Sequence, residues 1–154
     1  MARDPHTPDA SPSLAHDSAE SAIRRGVVAV IVRDSRLLVI RRSLKVVAPG
    51  AFCFPGGGIE GAETEEQALV REIQEELGAL VRPVRRIWRS TTAWRVDLAW
   101  WTAELAADAT LAPNPAEVAA ISWHTPAEMA ALAELLDSNR KFLAALACGE
   151  VSLQ

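Results

Sequence analysis

The sequence predicts an α/β or α+β sandwich, that is, a β-sheet core covered by helices. The chain has 154 residues, of which 49% are apolar, and this is enough to build the core of one domain. Strand-like segments rich in Val and Ile lie before and after one central amphipathic helix, and Ala/Glu/Leu patterns typical of helices close the chain. Strands on both sides of a helix, followed by terminal helices, are typical of layered sandwiches. We therefore expect a single domain over residues 21–154.

Residues 1–20 are predicted to be a disordered N-terminal tail. They are rich in Pro, Ser, Ala and Asp, and Met1 and Leu14 are their only sizeable apolar residues. So little apolar surface cannot offset the conformational entropy that ordering the segment would cost.

The domain is predicted to begin with β-structure. Residues 26–32 and 37–40 are rich in Val, Ile and Leu and flank a polar turn at residues 33–35, so we expect a β-hairpin or two consecutive strands. Residues 51–54 are expected to form a short strand. The run of Pro and Gly at residues 55–58 is expected to stop it.

The central helix has a start signal, a stop signal and one apolar face. Thr64 and Gln67 have the spacing of a capping box, which predicts a helix that starts at Glu65. Gly78 supplies the stop. Apolar residues recur at intervals of three and four along one face that must meet a core; they are Val70, Ile73 and Leu77.

The remaining elements follow the same two periodicities. Strands are expected at about residues 80–88, 94–103 and 118–123, a loop at 106–115, and helices at 126–136 and 139–148.

Composition excludes several classes of function. With 16 basic and 20 acidic residues the net charge is −4, so the chain lacks the basic footprint of a protein that binds duplex DNA. No window approaches about 18 uninterrupted apolar residues, and no basic segment with an apolar run opens the chain, so we expect neither membrane insertion nor secretion. Two cysteines, Cys53 and Cys148, are too few for a disulfide framework and favour a reducing, cytoplasmic location.

The acidic residues are concentrated around the central helix. Between residues 60 and 76 there are seven glutamates and one cation, Arg71. Glu72, Glu75 and Glu76 fall on one helical face, where three carboxylates repel one another. A divalent cation removes that repulsion, and oxygen ligands select hard ions such as Mg²⁺ or Mn²⁺. A solvated acidic face is the alternative interpretation.

This segment resembles the signature of the Nudix (MutT-like) hydrolases, which is a Gly, a Glu and then Arg-Glu-aliphatic-x-Glu-Glu-x-Gly. All eight specified positions agree, namely Gly57, Glu63, Arg71, Glu72, Ile73, Glu75, Glu76 and Gly78. There are two departures, since Ala79 replaces a bulky aliphatic residue and the turn that often reads Pro-Gly is Gly61-Ala62. The resemblance extends over roughly residues 22–146, although the motif carries nearly all its specificity.

The resemblance implies the Nudix fold, a mixed β-sheet core flanked by the motif helix and the C-terminal helices, and hydrolysis that depends on Mg²⁺, with Mn²⁺ as the alternative. Glu72, Glu75 and Glu76 are the expected metal ligands, and similar enzymes add a glycine carbonyl, here that of Gly57. Arg71 and Glu63 are expected to pair and hold the loop before the helix.

The resemblance allows two residues as the general base. One is Glu72 in the motif, and the other is Glu117 in the loop before the last strand. Glu60 is a further acidic residue without a settled role. Arg41 and Arg42 could contact phosphates or be solvated, and the Trp and Phe residues could stack on a nucleobase or lie in the core.

The expected substrate is a nucleoside diphosphate linked to another moiety. A MutT-like nucleoside triphosphate pyrophosphohydrolase that removes unwanted nucleotides is the first candidate. The second is a pyrophosphatase of ADP-ribose or of a nucleoside-diphosphate sugar. A non-catalytic module that senses nucleotides, and an isomerase of isoprenoid diphosphates, are further alternatives. The expected partner is a small nucleotide rather than duplex DNA or a membrane, and the chain is expected to be a monomer or a homodimer.

Overall fold

The strands form two sheets, and the helices pack against them. The computed structural model describes residues 23–154, so the tail predicted at residues 1–20 lies outside the described residues. The elements are β1 (Arg24–Val30), β2 (Val32–Arg33), β3 (Arg36–Arg42), β4 (Phe52–Cys53), β5 (Gly56–Gly58), α1 (Glu65–Leu77), β6 (Val81–Thr91), β7 (Val96–Leu105), β8 (Val118–His124), α2 (Pro126–Ala130) and α3 (Asp137–Ala147).

The first sheet is mixed and has the order β5-β1-β7-β6. Strands β1 and β7 run parallel, whereas the β1–β5 and β6–β7 pairs are antiparallel. In the second sheet β3 pairs antiparallel with β2, β4 and β8. The expected α+β architecture with a mixed sheet is therefore confirmed.

The chain passes from the first sheet to the second immediately after β1. Because β1 and β3 lie in different sheets, the alternative of two consecutive strands is correct for them, and only the short β2 forms a hairpin with β3. Asp34 and Ser35 connect this hairpin with positive φ angles of 52° and 62°, as the right-handed twist of a two-residue hairpin requires.

The glycines after Pro55 form a strand, which the sequence prediction did not foresee. Gly56–Gly58 is β5 and pairs with β1, whereas the Pro/Gly run was expected only to end a strand. A Cβ on Gly56 would lie 2.1 Å from the carbonyl oxygen of Val27. The close approach of the two strands thus requires a residue without a side chain, and such a segment has no pattern of side chains to predict a strand.

The central helix forms as predicted. α1 spans Glu65–Leu77 with a complete capping box between Thr64 and Gln67, and it ends at Gly78 in the left-handed conformation. Ile73 and Leu77 are fully buried. The signals that define this helix are local, so they can be read without knowledge of the fold.

Two apolar clusters cover the two faces of the first sheet. One joins β1 and β7 to α1 through residues such as Ala29 and Leu69, and the other joins them to α3 through Trp100 and Phe142, whose rings stack 4.7 Å apart. Trp101, next to Trp100, packs against the first cluster, because successive strand residues point to opposite faces.

Helix α2 is shorter than predicted. It ends at Ala130 rather than near Leu136, because the following segment pairs with the backbone of Phe52. The N–H of Phe52 donates to the oxygen of Glu134, and the N–H of Leu136 donates to the oxygen of Phe52. In the described part of the chain, no helix has the length and apolar character needed to cross a membrane.

Candidate active site

Strand β5, helix α1 and the loop before β8 meet at one edge of the first sheet. A Cβ on Gly57 would lie 2.3 Å from the carboxyl carbon of Glu72 and within 2.5 Å of both its oxygens. The carboxylate of Glu72 therefore packs directly on the backbone of β5, and only glycine fits there. The structure thus brings together Gly57 and Glu72, two residues of the motif.

Glu76 is the most deeply buried carboxylate of the site, with 5% of its surface exposed. Its Oε1 accepts a hydrogen bond of 2.9 Å from the N–H of Gly56. Burial raises the pKa of Glu76 from 4.5 to about 8, and the negative charges of Glu72 and Glu117 add to this effect. Burial likewise raises the pKa of Glu72, against the opposing contact with Arg71.

The raised pKa of Glu76 gives a prediction about stability in excess chelator. Between pH 4.5 and about 8 the folded state holds a proton on Glu76 that the unfolded state releases, so the free energy of unfolding falls as the pH rises. Glu76→Gln keeps an acceptor for Gly56 without the ionisation, and we expect it to stabilise the fold by on the order of 1–3 kcal/mol at pH 8 and by nothing below pH 4.5.

Denaturant unfolding at pH 4, 6 and 8 measures this difference, with the half-exposed Glu75 substituted in the same way as the control. If Glu76→Gln is no more stable than the parent at pH 8, ionisation of Glu76 does not lower the free energy of unfolding, and the prediction is wrong.

Glu117 lies beside the acidic face of α1, although it is more than 40 residues distant in sequence. The N–H of Asn114 donates to the backbone oxygen of Glu76, and the N–H of Ser43 donates to that of Glu117. These bonds fix the loop between the end of α1 and the end of β3. The Oε2 atom of Glu117 is buried and has no hydrogen-bond partner among the described residues, and its charge contributes to the raised pKa values of Glu72 and Glu76.

Arg71 links the loop before α1 to the carboxylates. Its Nε and Nη2 donate to the two oxygens of Glu63 at 2.6 and 2.9 Å, so the predicted pairing of these residues is present. Nη2 also donates to the carbonyl of Gly58, and Nη1 donates to Glu72 at 2.9 Å and to Glu75 at 3.3 Å. Hydrogen bonds from Arg71 hold the pKa of Glu63 well below its usual range.

The site has oxygen donors suited to a hard divalent cation. Among residues 23–154 no three or more His, Cys, Asp or Glu side chains already form a metal cage, and Arg71 is the cation between Glu72 and Glu75. A cation would give the buried, unpartnered oxygen of Glu117 a partner. It would also offset the cost of burying the charge of Glu76. The donor set therefore fits Mg²⁺ or Mn²⁺.

The backbone of Gly56 belongs to the site, which sequence reasoning missed. The N–H of Gly56 points to Glu76, away from β1, and in an antiparallel pair the carbonyl of the same residue points to the same side. The carbonyl oxygen of Gly57 lies near Gly26 of β1 instead, 3.2 Å from where a Cβ would stand. Gly57 as a metal ligand stays a prediction, and Gly56 is better oriented for that role.

Arg41 and Arg42, considered as phosphate contacts, organise the loop over residues 43–50. Nε of Arg41 donates to the carbonyl of Gly50, and Nε of Arg42 donates to that of Val47 at 2.7 Å. Glu60 is 74% exposed and lies 3.7 Å from Arg71.

Asn139 was also missed. It is buried in α3, and its Oδ1 accepts from the N–H of Phe54, which fixes the segment that leads to Gly56. A lone Asn within an apolar helical pattern was the available signal.

Comparison with known proteins identifies the family. The model of the NUDIX domain family matches residues 22–146. A CTP pyrophosphohydrolase of Escherichia coli is 44% identical over 34% of this chain and 38% of its own length. An ADP-ribose pyrophosphatase of Methanocaldococcus jannaschii is 43% identical over 33% of this chain and 30% of its own length. The chain thus spans less than half the length of these two curated relatives.

Solved structures agree with the fold. The crystal structure of a MutT NUDIX hydrolase from Burkholderia pseudomallei superposes with a TM-score of 0.62 at 26% identity, covering 80% of this chain and 97% of that one. The predicted fold is therefore confirmed.

Proposed function

The chain belongs to the Nudix family, and we propose that it is a Mg²⁺-dependent hydrolase of a nucleoside diphosphate linked to another moiety. The observation that carries this proposal is the meeting of Glu72, Glu76 and Glu117 at the glycine strand β5. Three carboxylates from two separate parts of the chain occupy one partly buried site, an arrangement that is costly unless it binds a cation.

Glu72, Glu75 and Glu76 of α1 would hold the metal, with Glu117 from the opposite loop and a glycine carbonyl of β5. When bound, Mg²⁺ would neutralise the phosphate oxygens and favour ionisation of the attacking water.

The protein's own groups have three roles in this proposal. Glu72 accepts the proton of the attacking water, since its position against Gly57 is fixed by packing. Arg71 orients Glu72 and Glu75 through Nη1 and holds the Glu63 loop through its other donors. Glu117 has a buried oxygen without a hydrogen-bond partner among the described residues, and it is the second candidate for the base.

A nucleoside triphosphate is the first candidate substrate, and the similarity to a CTP pyrophosphohydrolase supports it. ADP-ribose or a nucleoside-diphosphate sugar is the second, supported by the similarity to an ADP-ribose pyrophosphatase. In both cases one phosphoric anhydride bond is cleaved by water.

The cytoplasmic location predicted from composition fits the two free thiols, Cys53 and Cys148.

A substrate panel with and without divalent cations tests the proposal. Nucleoside triphosphates should give a nucleoside monophosphate and pyrophosphate, whereas ADP-ribose should give AMP and ribose 5-phosphate, so chromatography of the products separates the two candidates. We expect turnover with Mg²⁺ or Mn²⁺ and none in excess chelator. Full turnover in chelator would contradict the metal-dependent mechanism.

A further inference from the structure

Three arginines converge on one buried carboxylate at the opposite end of α1 from Glu76. Arg25 of β1 and Arg86 and Arg89 of β6 surround Glu65, the first residue of the helix. We refer to these three arginines as the arginine cluster. Glu65 is seven residues before Glu72, which corresponds to about 10 Å along a helix, so the cluster is separate from the carboxylate site.

The cluster is built on fixed contacts. Arg86 donates to both oxygens of Glu65 at 3.1 and 3.2 Å, and the indole N–H of Trp101 donates to Oε2 at 2.8 Å. Arg89 donates to Glu65 and to Asp97. Although burial alone would raise it, the pKa of Glu65 is lowered by the hydrogen bonds from Trp101 and Arg86, so Glu65 is the anion that holds the guanidinium groups in place.

The cluster carries more positive charge than its partners neutralise. Glu65 and Asp97 are its acidic contacts among the described residues. The side chains of the three arginines remain 43–51% exposed, so each guanidinium has donors that face solvent. Arg95, in the turn that joins β6 to β7, is a further exposed cation.

An exposed tryptophan lies at the same end of the sheet. Trp94 has 83% of its surface exposed in the turn that joins β6 to β7. The turn is ordered, because the N–H of Arg95 donates to the oxygen of Thr92 and the N–H of Thr92 donates to that of Val96. Strand register places Val96 beside Arg24 and Asp97 beside Arg25. The turn that carries Trp94 therefore lies at the same end of the sheet as Arg25, and its indole is exposed to solvent.

We propose that this surface, the arginine cluster with Trp94 and Arg95, binds a single-stranded oligonucleotide. Exposed guanidinium groups bind phosphodiester oxygens, and a solvent-exposed indole offers a face on which an unpaired base stacks. A duplex keeps its bases stacked inside, so it gains only the phosphate contacts. Outside residues 60–76 the chain has a net charge of +2, so its overall charge of −4 does not oppose this proposal.

Fluorescence anisotropy tests the proposal with a labelled oligouridylate of about twelve nucleotides, in excess chelator and at low salt. Binding with a Kd of about 10⁻⁴ M or tighter is expected. Trp94→Ala should weaken it about tenfold, the effect of one lost stacking contact. Arg95→Asn should make the slope of log K against log[salt] less negative by about 0.7. Arg95 has a φ of 59°, which Asn tolerates.

Two matched variants serve as controls. Leu80→Ala removes an exposed apolar residue, and Arg82→Gln removes an exposed arginine from the far end of β6; both should bind as the parent does. Trp94→Ala should hydrolyse nucleotides normally, and Glu75→Gln should bind the oligonucleotide normally, so the failure of this proposal is distinct from failure of the proposed activity.

Three outcomes would overturn the proposal. They are no saturable binding, equal binding by the parent and Trp94→Ala, and binding only to phosphatidylserine vesicles, which would make the surface a membrane contact.

Discussion

Glu75→Gln is expected to lower kcat by about 10²–10⁴-fold, the range seen when a group that stabilises charge or transfers a proton is lost. The substitution keeps the size of the side chain and removes its charge. Glu75 is half exposed and contacts Arg71 at 3.3 Å. Removing the charge of Glu75 takes away one negative neighbour of Glu72, so the fold should stay intact.

Steady-state kinetics at saturating Mg²⁺ and thermal unfolding measure the two effects. Glu66→Gln is the matched control, because Glu66 lies on the same helix and is exposed but outside the carboxylate site. If Glu75→Gln keeps more than half of the parental kcat, Glu75 does not take part in catalysis. A comparable loss in Glu66→Gln would indicate that helix charge alone, rather than the site, controls activity.

Local signals made α1 predictable to the residue. The capping box of Thr64 and Gln67 and the left-handed Gly78 act within one turn of each helix end, so they do not depend on the rest of the fold. The carboxylates on α1 and the pairing of Arg71 with Glu63 follow from this helix and from the motif.

Features that depend on distant backbone were not predictable. β5 exists because its glycines allow close approach to Val27, and α2 stops early because residues 134–136 bond to Phe52. Neither interaction leaves a periodic pattern in the sequence. For Arg41 and Arg42 the sequence left phosphate contact and solvation open, and it gave no sign of their hydrogen bonds to the carbonyls of Gly50 and Val47, nine and five residues away.

The two candidates for the general base differ in how they are held. Glu72 lies on the rigid helix against Gly57 and receives a hydrogen bond from Arg71. Glu117 lies on a loop, and its buried Oε2 has no partner in the described part of the chain. The side chain of Glu117 could turn toward the substrate while its backbone stays bonded to Ser43, whereas Glu72 is already positioned at the glycine strand.

If Glu72 binds metal and also accepts the proton of water, Glu72→Gln should be the most damaging single substitution. Glu117→Gln should then cost less than about tenfold in kcat/KM, or under about 1.4 kcal/mol of transition-state stabilisation. A base located on the loop predicts the reverse order. Loss of the metal alone lowers the rate at every pH, whereas loss of the base removes the acidic limb of the pH–rate profile. Profiles of both variants at saturating Mg²⁺ therefore identify the base: we expect Glu72→Gln to lose that limb and Glu117→Gln to keep it.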